Sequence, residues 1–315
     1  MTIKRLLLTI AFLLGSMSQV GCSINPATGK RSLTLMSWEQ EKALGLSAAP
    51  QFTEQFGGAF PDANAQAYVD RIGAKLVAQI EPGVPDLEWE FTLLDSEVIN
   101  AFALPGGKVF MTRGLAAQLS NEAEMAGVLG HEVGHVTARH ANQRMSTQKL
   151  FNFGLGIGAV SVAASDSDSS YRKYGQISLP VVAVGGNLTM LKFGRDEESE
   201  ADMLGMRYMS KAGYDPRAQR RVMEVLMQAG ANSERQPEWL ATHPYPETRI
   251  RRIDEIVATT YSDADSNPSY RLDEQAYQQN ILAPLGSNAS IKRTDEQTIS
   301  AAIMSMNTCC SVNHK

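Results

Sequence analysis

Thiols are scarce in this 315-residue chain, which has three cysteines, Cys22, Cys309 and Cys310. The adjacent pair can join to each other only through a strained ring, so no disulfide framework staples the core; both read as free, cross-linked between chains or loosely ordered. The excess of positive charge that marks nucleic-acid binders is missing as well, since the formal net charge is −5. No internal repeat occurs. Beyond the N-terminus no apolar run spans a bilayer convincingly: the stretch 150–164 is short, and 177–193 is broken at Pro180 and Asn187. Histidine is rare too, with five in all. With 43% hydrophobic and 20% charged residues, the chain can still bury a full globular core.

The first residues form a secretory signal in outline. Lys4 and Arg5 precede the apolar run Leu6 to Leu14, which is too short to stand as a spanning helix, and a more polar stretch leads to Gly21. Residues 1–21 are assigned to a signal peptide. Cys22 follows where a lipoprotein signal would end, so acylation of Cys22 would tether the mature chain to a membrane. Gln19 departs from the apolar residue usual three places before such a cysteine, and simple cleavage to a soluble product is the alternative. Residues 22–36, rich in Pro, Gly and basic residues around Asn25 to Ser32, read as a linker lifting the domain off the membrane.

Two of the five histidines stand four apart in Gly130-His131-Glu132-Val133-Gly134-His135. On a helix that step puts both imidazoles on one face, one turn apart, within reach of one metal ion. Glu132 then lies alongside the metal, placed to take a proton from an activated water. Asn121 with Glu124 offers an N-cap, and Met125, Val128, Leu129 and Val136 follow at helical spacing. A catalytic zinc needs a third protein ligand and an open position. His140 is the nearest candidate, and helix geometry rejects it, because five residues past His135 turn it by roughly 140° away from the metal face. It is expected as a surface or helix C-terminal histidine. The metzincin pattern is excluded by Ala138 and Ala141.

The stretch Arg195 to Asp202 supplies better candidates. On one helix Glu198 and Asp202 share a face, so Glu198 can bind the metal while Asp202 accepts the free ring N–H of a ligating histidine. Glu197 and Glu200 are alternative ligands by residue type. Acidic residues in a first helical turn also favour the dipole without any metal.

Taken in order, five stretches resemble the HtpX, BepA and LoiP group of bacterial metallopeptidases, gluzincins related to the CAAX prenyl proteases. They are Asn100-Ala101-Phe102-Ala103 running on to Gly107, Thr112 to Leu115, Gly130 to Val136, Glu198 to Asp202, and Thr242 to Arg249. The resemblance implies one Zn2+ per chain held by His131, His135 and Glu198, with Asp202 behind a ligand and Glu132 as the catalytic base. It implies that His243 faces the site, as donor to the oxyanion or as a cap on zinc at rest; a surface position is the plain alternative. Arg249 would do similar work or bridge to Glu247. The segment Asn100, Ala101, Phe102 and Ala103 would lie beside the zinc and bind substrate as an added strand. By the same resemblance the setting is the periplasm, and Ser23 after Cys22 suits an outer-membrane address. The implied partners are unfolded or misfolded proteins, the membrane through a lipid anchor, and the outer-membrane assembly machinery.

The expected fold class is α+β, mainly helical: a zincin-like domain over residues 37–260 with a small sheet beside the metal helix. Helices are predicted from Ser37 to about Phe56, from Asp62 to about Ile80, from about Asp196 to Lys211, after Asp215-Pro216, and on to about Thr259. Leu87 to Leu94 alternates as a strand, followed by a hairpin of Ala101 to Leu104 and Lys108 to Thr112 around Pro105-Gly106-Gly107. The insertion between the ligands, 150–193, suits a glycine-hinged lid or a plain buried pair of elements. The tail 261–315, polar and too short for the helical repeats of BepA, is expected to be peripheral.

Overall fold

The computed structural model describes residues 22–151, 192–231 and 237–288. The signal segment, nearly all of the insertion, Cys309, Cys310 and the end of the tail lie outside the described residues.

The architecture is mainly helical around a three-stranded sheet, as expected. In the sheet, β3 (Glu90–Leu94) pairs parallel to β5 (Lys108–Thr112), and β4 (Ala101–Leu104) pairs antiparallel to β5 on its other side. The hairpin turn works because Gly106 and Gly107 adopt φ of +83° and +90°, a region closed to most side chains. The first strand begins at Glu90 rather than Leu87, since Glu88 has φ +52° and breaks the extended run. Successive side chains face opposite ways. Phe102, Leu104 and Phe110 therefore pack on Phe52 of α1 (Trp38–Gln55) and on Phe56, the residue that ends it, while Ala101, Val109 and Met111 join the main core with α2 (Ala63–Val77). Both helices begin as read from sequence: Ser37 and Gln40 form a reciprocal cap, and Asp62 accepts from Ala65 N at 2.9 Å.

Helix α3 (Glu122–Ala138) carries His131 and His135 and is buried along its whole length. Asn121 caps it through Glu124 N at 2.9 Å. It ends at Arg139, a non-glycine residue with φ +63°. A left-handed residue costs roughly 1–2 kcal/mol, offset here by charge-assisted bonds. The Arg139 guanidinium donates to Glu41 Oε1 at 2.7 Å and lies 4.3 Å over the Trp38 ring. Helix α4, residues 140–151, follows directly after this break.

Helix α5 (Arg195–Lys211) crosses α3 at very short range. A Cβ on Gly205 would stand 2.8 Å from the Gly130 carbonyl carbon, and one on Gly134 would stand 2.8 Å from Ala201 O. Glycine at these two positions lets the backbones approach until the acids of α5 reach the histidines of α3. Behind them α6 (Ala218–Ala231), α7 (Glu238–Thr242) and α8 (Pro246–Thr260) close the core.

Two expectations are corrected. Residues 22–36 are not a free linker: β1 (Cys22–Ile24) pairs antiparallel with β2 (Arg31–Leu33), and buried Asn25 donates to Thr137 O at 2.9 Å, docking the hairpin on the end of α3. The tail after 261 is not peripheral throughout, because Tyr277, Ile281 and Leu285 belong to the main core and Tyr277 Oη donates to Ala116 O at 2.7 Å. The polar composition of that segment hid an apolar stripe. Among the described residues no helix is long and apolar enough to cross a membrane.

Candidate metal centre

His131 and His135 leave α3 one turn apart with their Nε2 atoms 3.1 Å from each other. Glu198, from the first turn of α5, brings Oε2 to 3.6 Å from His131 Nε2 and Oε1 to 3.5 Å from His135 Nε2. His243, at the end of α7, adds Nδ1 at 3.3 Å from His131 Nε2 and 3.0 Å from Glu198 Oε1. All four side chains are buried, and their ligand atoms lie within 4.8 Å of one another. Four donors about 2.05 Å from a tetrahedral zinc stand about 3.4 Å apart, so separations of this size fit such an ion.

The balance of charge fits as well. Glu132, Glu198 and Asp202 are all buried, and among the described residues the one guanidinium paired with this group is that of Arg249. A divalent cation would compensate the excess. Glu198 Oε2 makes no hydrogen bond; beside Arg249 Nη1 at 2.8 Å and His131 Nε2 at 3.6 Å it keeps a carboxylate lone pair for a metal. Burial, then the Arg249 charge, pushes the His131 imidazole down to about 3, so it is neutral, as a ligand must be. Burial opposes ionisation of Glu198, but His243 and Arg249 hold it well below the usual carboxylate range.

Asp202 accepts from His131 Nδ1 at 3.0 Å. Arg249 grips Asp202 with two bonds, Nε to Oδ2 at 2.8 Å and Nη2 to Oδ1 at 2.6 Å, and Gln219 Nε2 adds a third at 3.1 Å. Burial works against the charged form of Asp202, yet Arg249 and His131 keep it ionised. Arg249 is thus paired with both acids, and among the described residues it makes no ion pair with Glu247. The alternative ligands are otherwise engaged. Glu197 pairs with Arg144 and caps its own helix through Gly194 N at 2.7 Å, and Glu200 turns toward His140.

Glu132 is buried beside the group. Its Oε1 accepts from Trp239 Nε1 at 3.2 Å and lies 3.6 Å from His243 Nε2. Burial pushes its carboxyl up to about 7, into the range of a useful general base; a cation held next to it would act in the opposite sense.

The edge strand β4 reaches the same place. Phe102, Ala103, Glu132, His135, Phe193 and His243 border one narrow pocket of about 30 Å3, room for about one water. The Phe102 ring itself packs on Phe56 and Phe110, so it serves the core rather than the pocket. Asn100 is buried with its backbone tied to Thr112, and its Nδ2 donates to Glu238 at 3.3 Å. Cys22 lies in β1, away from these groups in the chain.

Sequence reasoning missed Trp239, whose indole stacks on His243 at 4.7 Å, and Phe193, whose ring is 4.1 Å from His135. The i, i+4 spacing of Trp239 and His243 was the available signal. It also misplaced His140, which is 1% exposed and sits directly behind His135. The helical extrapolation failed because α3 stops at Arg139.

Comparison with known proteins gives the same direction. Residues 63–257 match the model of peptidase family M48. The chain is 31% identical over 247 residues to the mitochondrial metalloendopeptidase OMA1 of Schizosaccharomyces pombe, covering 78% of this chain and 69% of that protein. It is 29% identical over 231 residues to the beta-barrel assembly-enhancing protease of Escherichia coli K12, covering 71% of this chain and 45% of the relative. A putative beta-barrel assembly-enhancing protease of Vibrio cholerae is 30% identical over 188 residues, 58% of this chain and 37% of that one. The chain therefore spans about half the length of the E. coli relative or less of such proteases.

Proposed function

The chain belongs to peptidase family M48 and is a metalloendopeptidase; on that premise we propose that His131, His135 and Glu198 hold one catalytic zinc and that Glu132 is its general base. The observation that carries this reading is the buried set of four donors within 4.8 Å of one another beside a buried, weakly acidic carboxyl. The chemistry a bound zinc supplies is Lewis-acid activation of water and of the scissile carbonyl. Glu132 takes the proton of the attacking water and returns it to the leaving amine, so no acyl-enzyme forms. Asp202 holds His131 in its ligating tautomer, and Arg249 fixes Asp202 and Glu198.

Substrate would enter as a strand added to β4. In an antiparallel ladder the bonded pairs alternate. With Asn100 bonded to Thr112, the inward groups fall on Asn100, Phe102 and Leu104, and the outward ones on Ala101 and Ala103. Backbone recognition of this kind accepts many sequences, which suits unfolded or misfolded proteins. From the names of the beta-barrel assembly-enhancing relatives we extend the proposal to stalled outer-membrane proteins, with the enzyme in the periplasm, a lipid on Cys22 as its anchor and the outer-membrane assembly machinery as a partner.

His243 completes a four-donor set and narrows the pocket, an arrangement that suits a latent enzyme in which His243 must leave before substrate binds. A second reading is favoured by the same observation: closed four-ligand zinc sites are commonly structural, and the protein would then be a chaperone-like envelope binder. Digestion of an unfolded protein by wild type and Glu132→Gln, with and without chelator, separates them. The enzyme reading predicts cleavage by wild type, abolished by chelator and lowered about 10²–10⁴-fold in Glu132→Gln with zinc still bound. Equal behaviour of the two proteins would favour the binder. His243→Ala should raise basal cleavage if His243 is a latch; loss of zinc without any gain in cleavage would contradict that role.

A further inference from the structure

The outer support of His135 is a chain of side chains from three separate parts of the sequence. His140 Nδ1 lies 2.9 Å from His135 Nδ1, and His140 Nε2 lies 3.2 Å from Glu200 Oε2. Lys30, from the turn between β1 and β2, ends the chain with Nζ 2.7 Å from Glu200 Oε1. The two rings meet edge to face, with centroids 4.9 Å apart and planes at 73°.

We propose that His140 and Glu200 are positioning residues that fix the tautomer and ring orientation of His135 for metal binding. This rests on the zinc-peptidase reading above. Protons can be placed along the chain in one consistent way. If His135 binds the metal through Nε2, its Nδ1 carries the hydrogen and donates to His140 Nδ1. His140 must then carry its own hydrogen on Nε2 and donate it to the Glu200 carboxylate. The reverse placement, with His140 Nδ1 donating to His135 Nδ1, would set the His140 Nε2 lone pair against the Glu200 carboxylate at 3.2 Å and put the His135 hydrogen on Nε2, where the metal binds. Exposure rises toward the outer end of the chain: His135 is 4% exposed and His140 1%, the Glu200 side chain 10% and the Lys30 side chain 69%. The Lys30 ammonium, 2.7 Å from Oε1, supplies the counter-charge for the Glu200 carboxylate that accepts from His140. The left-handed Arg139 makes the relay available, since a continued α3 would carry His140 to another face. A carboxylate reached through an intervening imidazole makes the ligand nitrogen a better donor, as a direct carboxylate–histidine contact does.

The test is zinc affinity, measured by competition with a chelating dye on the purified protein, alongside thermal unfolding of the zinc-free form. His140→Leu is expected to weaken zinc binding about 10–100-fold. His140→Gln, whose amide can accept from His135 and donate to Glu200, should recover to within about threefold of wild type, and Glu200→Gln, which keeps the packing, should lose about tenfold. The zinc-free melting temperature of Glu200→Gln should stay near that of wild type, which separates a role toward the metal from a role in folding. If His140→Leu does not fold, Glu200→Gln decides the matter. Wild-type zinc affinity in Glu200→Gln, or equal losses in His140→Leu and His140→Gln, overturns the relay. Failure of wild type itself to bind zinc would instead overturn the peptidase reading.

Discussion

His131 and His135 enter the metal group from the same helix, one turn apart, yet they are held by different means. His131 rests directly on Asp202, which is buried, ionised and gripped by Arg249 and Gln219. His135 rests on His140, and only through that neutral ring on Glu200 and the exposed Lys30. One support is a deep ion pair whose partners cannot reach water. The other runs outward to the surface and to the N-terminal hairpin. Buried charge pairs are costly to break, whereas exposed ones contribute little. The His131 side should thus govern both folding and metal binding, and the His135 side mainly metal binding.

The largest effect that tests this contrast is expected from Asp202→Ala. It leaves the Arg249 guanidinium facing only Glu198 and should destabilise the protein by about 3 kcal/mol, read by urea unfolding. A loss no larger than that in Glu200→Gln would erase the distinction between the two supports. Gly205→Ala acts on both sides at once. Its new Cβ would sit 2.8 Å from backbone atoms of Gly130 and His131, so α5 must move outward, at a cost of about 1–3 kcal/mol together with weaker zinc binding. Unchanged stability and affinity would show that the close crossing of α3 and α5 is not what sets the site. Lys30→Ala should do least, within about 0.5 kcal/mol and about twofold in zinc affinity, because the lysine is mostly solvated. A large loss there would mean that the hairpin controls the metal centre more strongly than its exposed contact implies.

The His131 side was legible in the sequence because its spacing lies within regular helices. The i, i+4 step between His131 and His135 and the same step between Glu198 and Asp202 each survive folding, since α3 and α5 are continuous through them. The His135 side was illegible for the opposite reason. His140 follows a left-handed residue held by Glu41, a contact formed 98 residues away along the chain, and no periodicity predicts where the helix after it will point. Asn25 on Thr137 is a similar case: a single side-chain bond across 112 residues turned a stretch with linker composition into a docked hairpin. The stripe of Tyr277, Ile281 and Leu285 was overlooked because three apolar residues four apart, set among polar ones, were outweighed by the composition around them. Trp239 was visible as a residue and invisible as part of the site, since its indole reaches Glu132 only once α7 is packed.

The most direct test is elemental analysis of wild type, Glu132→Gln and Glu198→Ala purified without added zinc. The account predicts about one zinc per chain in the first two and a clear loss in the third, with Glu132→Gln inactive toward unfolded protein. Less than about half an equivalent in folded wild type that cannot be reconstituted, or full retention of zinc in Glu198→Ala, would contradict it.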